Sequence, residues 1–228
     1  MNKNILIVLT SNDQLGDTGK QTGFWLEELA SPYYLLKEAG ISLTLATPKG
    51  GQAPIDPVSE LEDFQTEATR RFTADADAMA QLGSTHKLSE MEAANFDAIL
   101  YPGGQGPLWD LVSDPEAIRL TEAFWASDKL VVTICHASAV LVNPKDSKGT
   151  HIVKGRKVTG FSNAEETEYG TNEVVPLLLE DELKARGGDY TKGPNWQPFT
   201  CQDGRLITGQ NPASSEAVAK LLLAALSD

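Results

Sequence analysis

The chain has 228 residues, 41% of them apolar, which is enough for one sizeable core, and a formal charge of −13 that argues against nucleic acid or an anionic membrane surface as partner. No apolar run approaches the roughly 18 residues of a membrane-spanning helix. Two cysteines make no disulfide framework, and three histidines without a His-x-x-His or Cys-x-x-Cys pair give no structural zinc signature. The expectation is a reduced, cytoplasmic, single-domain protein over 1–228. Its apolar N-terminal stretch reads as a first core strand rather than a signal peptide.

In chain order, Asn4–Thr10 reads as a buried strand and Ser11–Lys20 as the polar loop at its carboxyl end. Phe24–Leu36 reads as a helix with Trp25, Leu29, Tyr33 and Leu36 on one side, kinked or restarted at Pro32. Ile41–Thr47 is a second strand, completing a parallel βαβ unit. Residues 50–93 are too polar and acidic for two core strands and are patchily helical over 66–82. They read as an insertion over the sheet edge, either a lid or a dimer element.

Phe96–Tyr101 is a third strand that runs into Pro102-Gly103-Gly104-Gln105-Gly106-Pro107, whose glycines permit close approach of a ligand. This turn lacks the Lys-Ser/Thr ending of a phosphate loop. Asp114–Ser127 is a helix with Pro115 in its first turn. Lys129–Ile134 is a buried strand, and small and apolar residues from Ala137 onward begin a helix. After a polar loop over 143–153 come a short strand at Lys157–Phe161 and a helix start capped by Ser162 or Asn163. A helix over Val174–Lys184, an irregular Asp189–Thr200 stretch holding Trp196, a strand at Arg205–Thr208 and a closing helix over Ala213–Leu226 complete the chain. The alternation predicts an α/β fold with a mostly parallel sheet.

Cys135 and His136 sit where the buried strand turns into the helix. Such a turn is a nucleophile elbow with Cys in place of Ser, at the carboxyl edge of the sheet where ligands bind. The helix N-terminus is expected to favour the thiolate there. A cysteine nucleophile needs a proton acceptor, and His136 is adjacent. A histidine in that role is oriented by an acid. Glu165 and Glu166 stand at the end of the next strand, and Glu27 and Glu28 in the first helix. Sequence physics does not choose within either pair. Taken alone, each acid also reads as an ordinary helix-start or surface carboxylate, and a lone strand-end cysteine reads as core. Cys201, beside Gln202-Asp203-Gly204, is given no role.

These stretches together resemble the DJ-1/PfpI superfamily, and within it the glutathione-independent glyoxalases (glyoxalase III). The resemblance rests on Ile7–Ser11, Thr22–Tyr33, Tyr101–Gly104, Ile134–His136, Lys157–Ser162 and Asp203–Ser214. It implies a flavodoxin-like three-layer sandwich with a nucleophile elbow. It places the nucleophile on Cys135 and the histidine on His136. It puts the early acid on Glu28, kept protonated and donating to the thiolate, and the triad acid on Glu166. Amides of Gly103, Gly104 and the elbow around Ala137 are then expected to line the oxyanion position, with Gln105 and Trp196 on the substrate side.

The resemblance further implies a cofactor-independent, metal-free hydro-lyase of the D-lactate dehydratase type, which takes methylglyoxal or glyoxal to lactate or glycolate, and a homodimer. A redox-sensing stress protein with holding-chaperone activity, and a deglycase or amide hydrolase, are alternatives that use the same cysteine. Two positions depart from the family pattern. Gln105 stands where many members carry His, and Ala137-Ser138 where Gly-Pro is usual. Alanine requires ordinary helical angles at 137.

Overall fold

The computed structural model describes residues 3–227. Along the chain the elements are β1 (Asn4–Val8), α1 (Leu26–Glu38), β2 (Ser42–Thr47), α2 (Glu67–Ala74), α3 (Ala76–Gly83), β3 (His86–Lys87), β4 (Ala98–Tyr101) and α4 (Pro115–Ala126). They continue with β5 (Leu130–Ile134), β6 (Lys157–Val158), α5 (Asn163–Tyr169), α6 (Leu179–Ala185), β7 (Asp189–Tyr190), β8 (Thr200–Asp203), β9 (Leu206–Gly209) and α7 (Ser215–Ser227).

Seven strands form one sheet in the order β3-β2-β1-β4-β5-β9-β8, parallel except for the antiparallel edge pair β8–β9. Ile5 of β1 is flanked by Leu43 and Ala98, and Val132 of β5 by Leu100 and Ile207. The central strands are buried on both faces, as a parallel sheet covered by helices requires, which is why they read as unbroken apolar runs. β6 and β7 pair separately.

The chain winds outward from β1 to β2 and β3, then returns to the other side of β1 for β4 and β5. Right-handed crossovers in opposite directions put their helices on opposite faces, and the reversal leaves a crevice at the carboxyl ends of the central strands. α1 packs against α7 and α2, while α4 packs against β4 and β5. The result is the flavodoxin-like three-layer sandwich.

Local chemistry explains most helix starts. Asp114 accepts from the amides of Glu116 and Ala117 at the head of α4, with Pro115 next in line. Ser162 and Glu165 form a reciprocal capping box at α5. Three expectations are corrected. α1 runs through Pro32 without ending. The helix expected over 174–184 begins only at Leu179, and Pro176, which disfavours helical angles at Val175, excludes the start expected at Val174. The coil after Cys135 is a 3-10 turn reaching Leu141, with all seven of its residues buried.

Candidate active site

β5 ends at Ile134, and Cys135 follows with φ of +58°, a left-handed conformation that costs a non-glycine residue about 1 kcal/mol or more. Burial on every side holds it: Cys135 is 3% exposed, and its carbonyl accepts from the amide of Phe161. The kink ends the strand and turns the thiol toward the crevice. The positive angle falls on Cys135 itself, and Ala137 runs without one.

The turn after β4 is pressed against this elbow. A Cβ on Gly103 would lie 2.5 Å from the Ile134 carbonyl oxygen and 3.0 Å from the Cys135 Cβ. Gly104, at φ +95°, leaves only 2.5 Å between such a Cβ and the Trp25 nitrogen. Glycine is therefore required at both positions.

His136 lies between sulfur and acid. Its Nδ1 is 3.4 Å from the Cys135 Sγ, and its Nε2 is 2.8 Å from Glu166 Oε2. The other Glu166 oxygen accepts from the Thr171 hydroxyl and, at 3.4 Å, from the Gln105 side-chain amide. Burial pushes the Glu166 carboxyl up, but His136, Thr171 and Gln105 outweigh it and hold the group below the usual carboxylate range. An ionised Glu166 fixes the proton on Nε2 and leaves the Nδ1 lone pair facing the thiol.

Glu28 lies on the other side of the sulfur. It is fully buried in the first turn of α1. Its Oε2 accepts from the Gly103 amide at 2.7 Å, and Oε1 has no hydrogen-bond partner among the described residues. Burial raises this carboxyl to about 8, against the opposing pull of Gly103 and Cys135. The group is therefore protonated at neutral pH and can donate to sulfur.

Burial first, and then the Glu28 charge, push the Cys135 thiol well up, while the amides of His136 and Gly104 pull it down. The structure thus corrects the expectation that the helix N-terminus favours the thiolate: desolvation dominates. Protonating Glu28 removes its repulsion and supplies a donor.

The expected oxyanion groups separate. The Gly103 amide is spent on Glu28. Ala137 is buried beneath the elbow and does not reach the cavity. The amides that favour the thiolate are those of Gly104 and His136.

A cavity of about 500 Å³ opens above Cys135, Gly104, Gln105 and His136. Its walls hold Trp25, Phe64, Phe161, Tyr169 and Trp196, together with Glu27, Asp56 and Asp63. Glu165 lies outside it. This fully buried acid accepts from the Ser162 amide and hydroxyl, the Trp196 amide and the Asn211 side chain, and so ties the Trp196 loop to α5. Glu27 accepts from the Thr66 hydroxyl at the cavity wall.

Sequence reasoning gave no role to Asp56, Phe64, Phe161, Tyr169 or Thr171. One signal was present for Tyr169: it stands three residues after Glu166 and so shares its helix face.

Residues 21–225 match the DJ-1/PfpI family. The chain belongs to that family. A glutathione-independent glyoxalase of Saccharomyces cerevisiae is 27% identical over 95% of both chains. The crystal structure of glyoxalase III from Candida albicans superposes with a TM-score of 0.91 at 25% identity, covering 98% of this chain and 97% of that one. The 24-kDa Rapid Encystment Protein of Francisella tularensis gives a TM-score of 0.94 at 35% identity, over 98% and 99% of the two chains. This DJ-1/PfpI protein therefore groups with the glyoxalase III branch. Among its described residues, no helix is long and apolar enough to cross a membrane.

Proposed function

We propose that this protein is a glutathione-independent glyoxalase that hydrates and isomerises methylglyoxal to lactate, and glyoxal to glycolate, through a hemithioacetal on Cys135. The observation that carries the reading is the line Glu28, Cys135, His136, Glu166, open to a cavity on the histidine side. The named glyoxalases among its relatives support it.

His136 Nδ1 takes the thiol proton as sulfur adds to the aldehyde carbon. The new alkoxide is met by the Gly104 and His136 amides and is protonated to the hemithioacetal. A base then removes the hydrogen on the attacked carbon, giving an enediol, and returns a proton to the neighbouring carbon. His136 suits this step better than Glu28, because it lines the cavity and Glu28 does not. The product is an α-hydroxy thioester. Water adds to its carbonyl, the C–S bond breaks, and the thiol is regenerated with the free hydroxy acid. One carbon is oxidised as its neighbour is reduced, so the stoichiometry calls for no external electron carrier.

The test is lactate formation from methylglyoxal by glutathione-free, chelator-treated protein. Turnover is expected in the parent and is expected to vanish in Cys135→Ala. A Cys135→Ala protein with full activity, or an inactive parent, overturns the reading.

A further inference from the structure

The cavity is far larger than methylglyoxal. A volume of about 500 Å³ lies in the range that encloses ligands of drug size. Its wall is aromatic on two sides. Trp25 meets Phe64 edge to face at 5.1 Å, and Phe161 meets Trp196 at 5.5 Å. Leu61, Phe64 and Trp196 are the large apolar side chains left exposed among the described residues, and two of these three stand in this wall. Exposed aromatic surface gathered at a cavity marks a binding site more than a failure of packing.

The charge of the lining is one-sided. Glu27, Asp56, Asp63 and Glu216 border the cavity, and no lysine or arginine does. Lys220 pairs with Glu216 at the surface, and Asp56 is held by the Thr22 hydroxyl and the Val58 amide. Among the described residues Glu27 has only the Thr66 hydroxyl as hydrogen-bond partner, and burial raises its carboxyl, so a cation beside it relieves an unfavourable desolvation. Asp63 is exposed at the rim. Trp25 and Phe64 line the same cavity as these carboxylates, so a cation bound there is offered both aromatic and acidic groups.

We infer that the substrate class of this site is α-oxoaldehydes bearing an aromatic body that ends in a cationic group, with Glu27 and Asp63 as its specificity-determining residues. The inference rests on the glyoxalase reading for its chemistry, which is unchanged by the substituent. R–CO–CHO plus water gives R–CH(OH)–COOH, with carbon–sulfur bond formation and cleavage at Cys135 and no external oxidant. The same negative lining acts on the product: the new carboxylate is repelled, which speeds its departure, and substrates that carry an acid are turned away.

Three para-substituted phenylglyoxals test this, carrying trimethylammonium, hydrogen or carboxylate. Each is assayed for hydroxy-acid formation and, separately, for protection of Cys135 against iodoacetamide under brief exposure. The unsubstituted compound is expected to exceed methylglyoxal in kcat/KM by about tenfold. The cationic compound is expected to exceed the carboxylate by about tenfold or more at low salt, a ratio that shrinks as salt is raised. The double variant Glu27→Gln, Asp63→Asn is expected to bring that ratio near one. A carboxylate compound that performs as well as the cation, or an aryl compound that protects no better than methylglyoxal, overturns the inference. Best protection by the cation without turnover of any compound keeps the inference about binding and overturns the glyoxalase reading instead.

Discussion

Glu28 is the residue on which pH acts most directly. Its folded value of about 8 lies above the ordinary 4.5, so between these limits the native state holds a proton that the unfolded chain has released. Stability from this group is complete below about 4.5 and is lost toward pH 8, at up to about 1.4 kcal/mol per unit. Glutamine mimics the protonated acid and does not titrate. Glu28→Gln is therefore expected to melt at a higher temperature than the parent at pH 8 to 9, and to show a flatter dependence of melting temperature on pH between about 4.5 and 8. In activity, the alkaline fall of the parent near pH 8 should disappear in the variant, because it reflects charging of the donor beside the sulfur.

Gly103→Ala attacks the same group sterically. Its Cβ would meet backbone and Glu28 within 2.8 Å, so a loss of about 2–4 kcal/mol and most of the activity is expected by chemical denaturation and assay. Cys135 and His136 were legible from their place between a buried strand and a small-residue coil. The choice of Glu28 over Glu27 came from the family resemblance alone, because neighbours on a helix differ by a rotation that residue chemistry does not reveal without the packing of α1.

At the scale of elements, α5 joins two tasks in consecutive residues. Glu166 faces His136, and Glu165 turns back to the Ser162 cap, the Trp196 loop and Asn211. Either acid could have been the helix-start partner from sequence alone, since both stand in the first turn. Glu165→Ala leaves these donors unpaired in a buried place, with an expected cost of about 3–5 kcal/mol. Its signature in activity is a raised KM from a displaced Trp196, read together with the intrinsic fluorescence. A purely structural role predicts lower stability with unaltered KM.

The central strands were the most legible elements, because burial on both faces leaves a continuous apolar run. The edge strands β3 and β8 were not. β3 has two residues, and β8 has a single apolar residue, Cys201, and is defined by its pairing with β9. That α6 does not begin at Val174 was written in Pro176, whose effect on Val175 outweighs the apolar spacing around it.

Across the whole molecule, the cavity is built from parts far apart in sequence: the start of α1, residues 56–66 of the insertion, the β4 turn, the elbow, Phe161 and Tyr169, Trp196, and residues 211–216. The parallel sheet brings these carboxyl-end segments to one edge. The insertion is tied to that edge at its start by the Phe24 amide to the Pro54 carbonyl, the Asp56 amide to the Phe24 carbonyl, Thr22 to Asp56 and the Leu26 amide to the Ser59 hydroxyl, and further on by Thr66 to Glu27. Thr66 has a second task, since its hydroxyl also accepts from the Thr69 amide as the cap of α2.

If residues 56–66 act as a cover, their attachment sets access to the buried thiol. Thr66→Val removes both contacts and keeps the side-chain shape, costing about 1–2 kcal/mol locally. A loosened segment opens more often, by a factor of about five to thirty for that cost. Iodoacetamide should then alkylate Cys135 several-fold faster, and amides over 56–66 should exchange faster, while amides of β4 and β5 keep their protection. Unchanged alkylation with faster exchange would show that the segment moves without gating the site. Equal acceleration across the sheet would show a global loss of stability, because a local cover leaves the strands beneath it untouched.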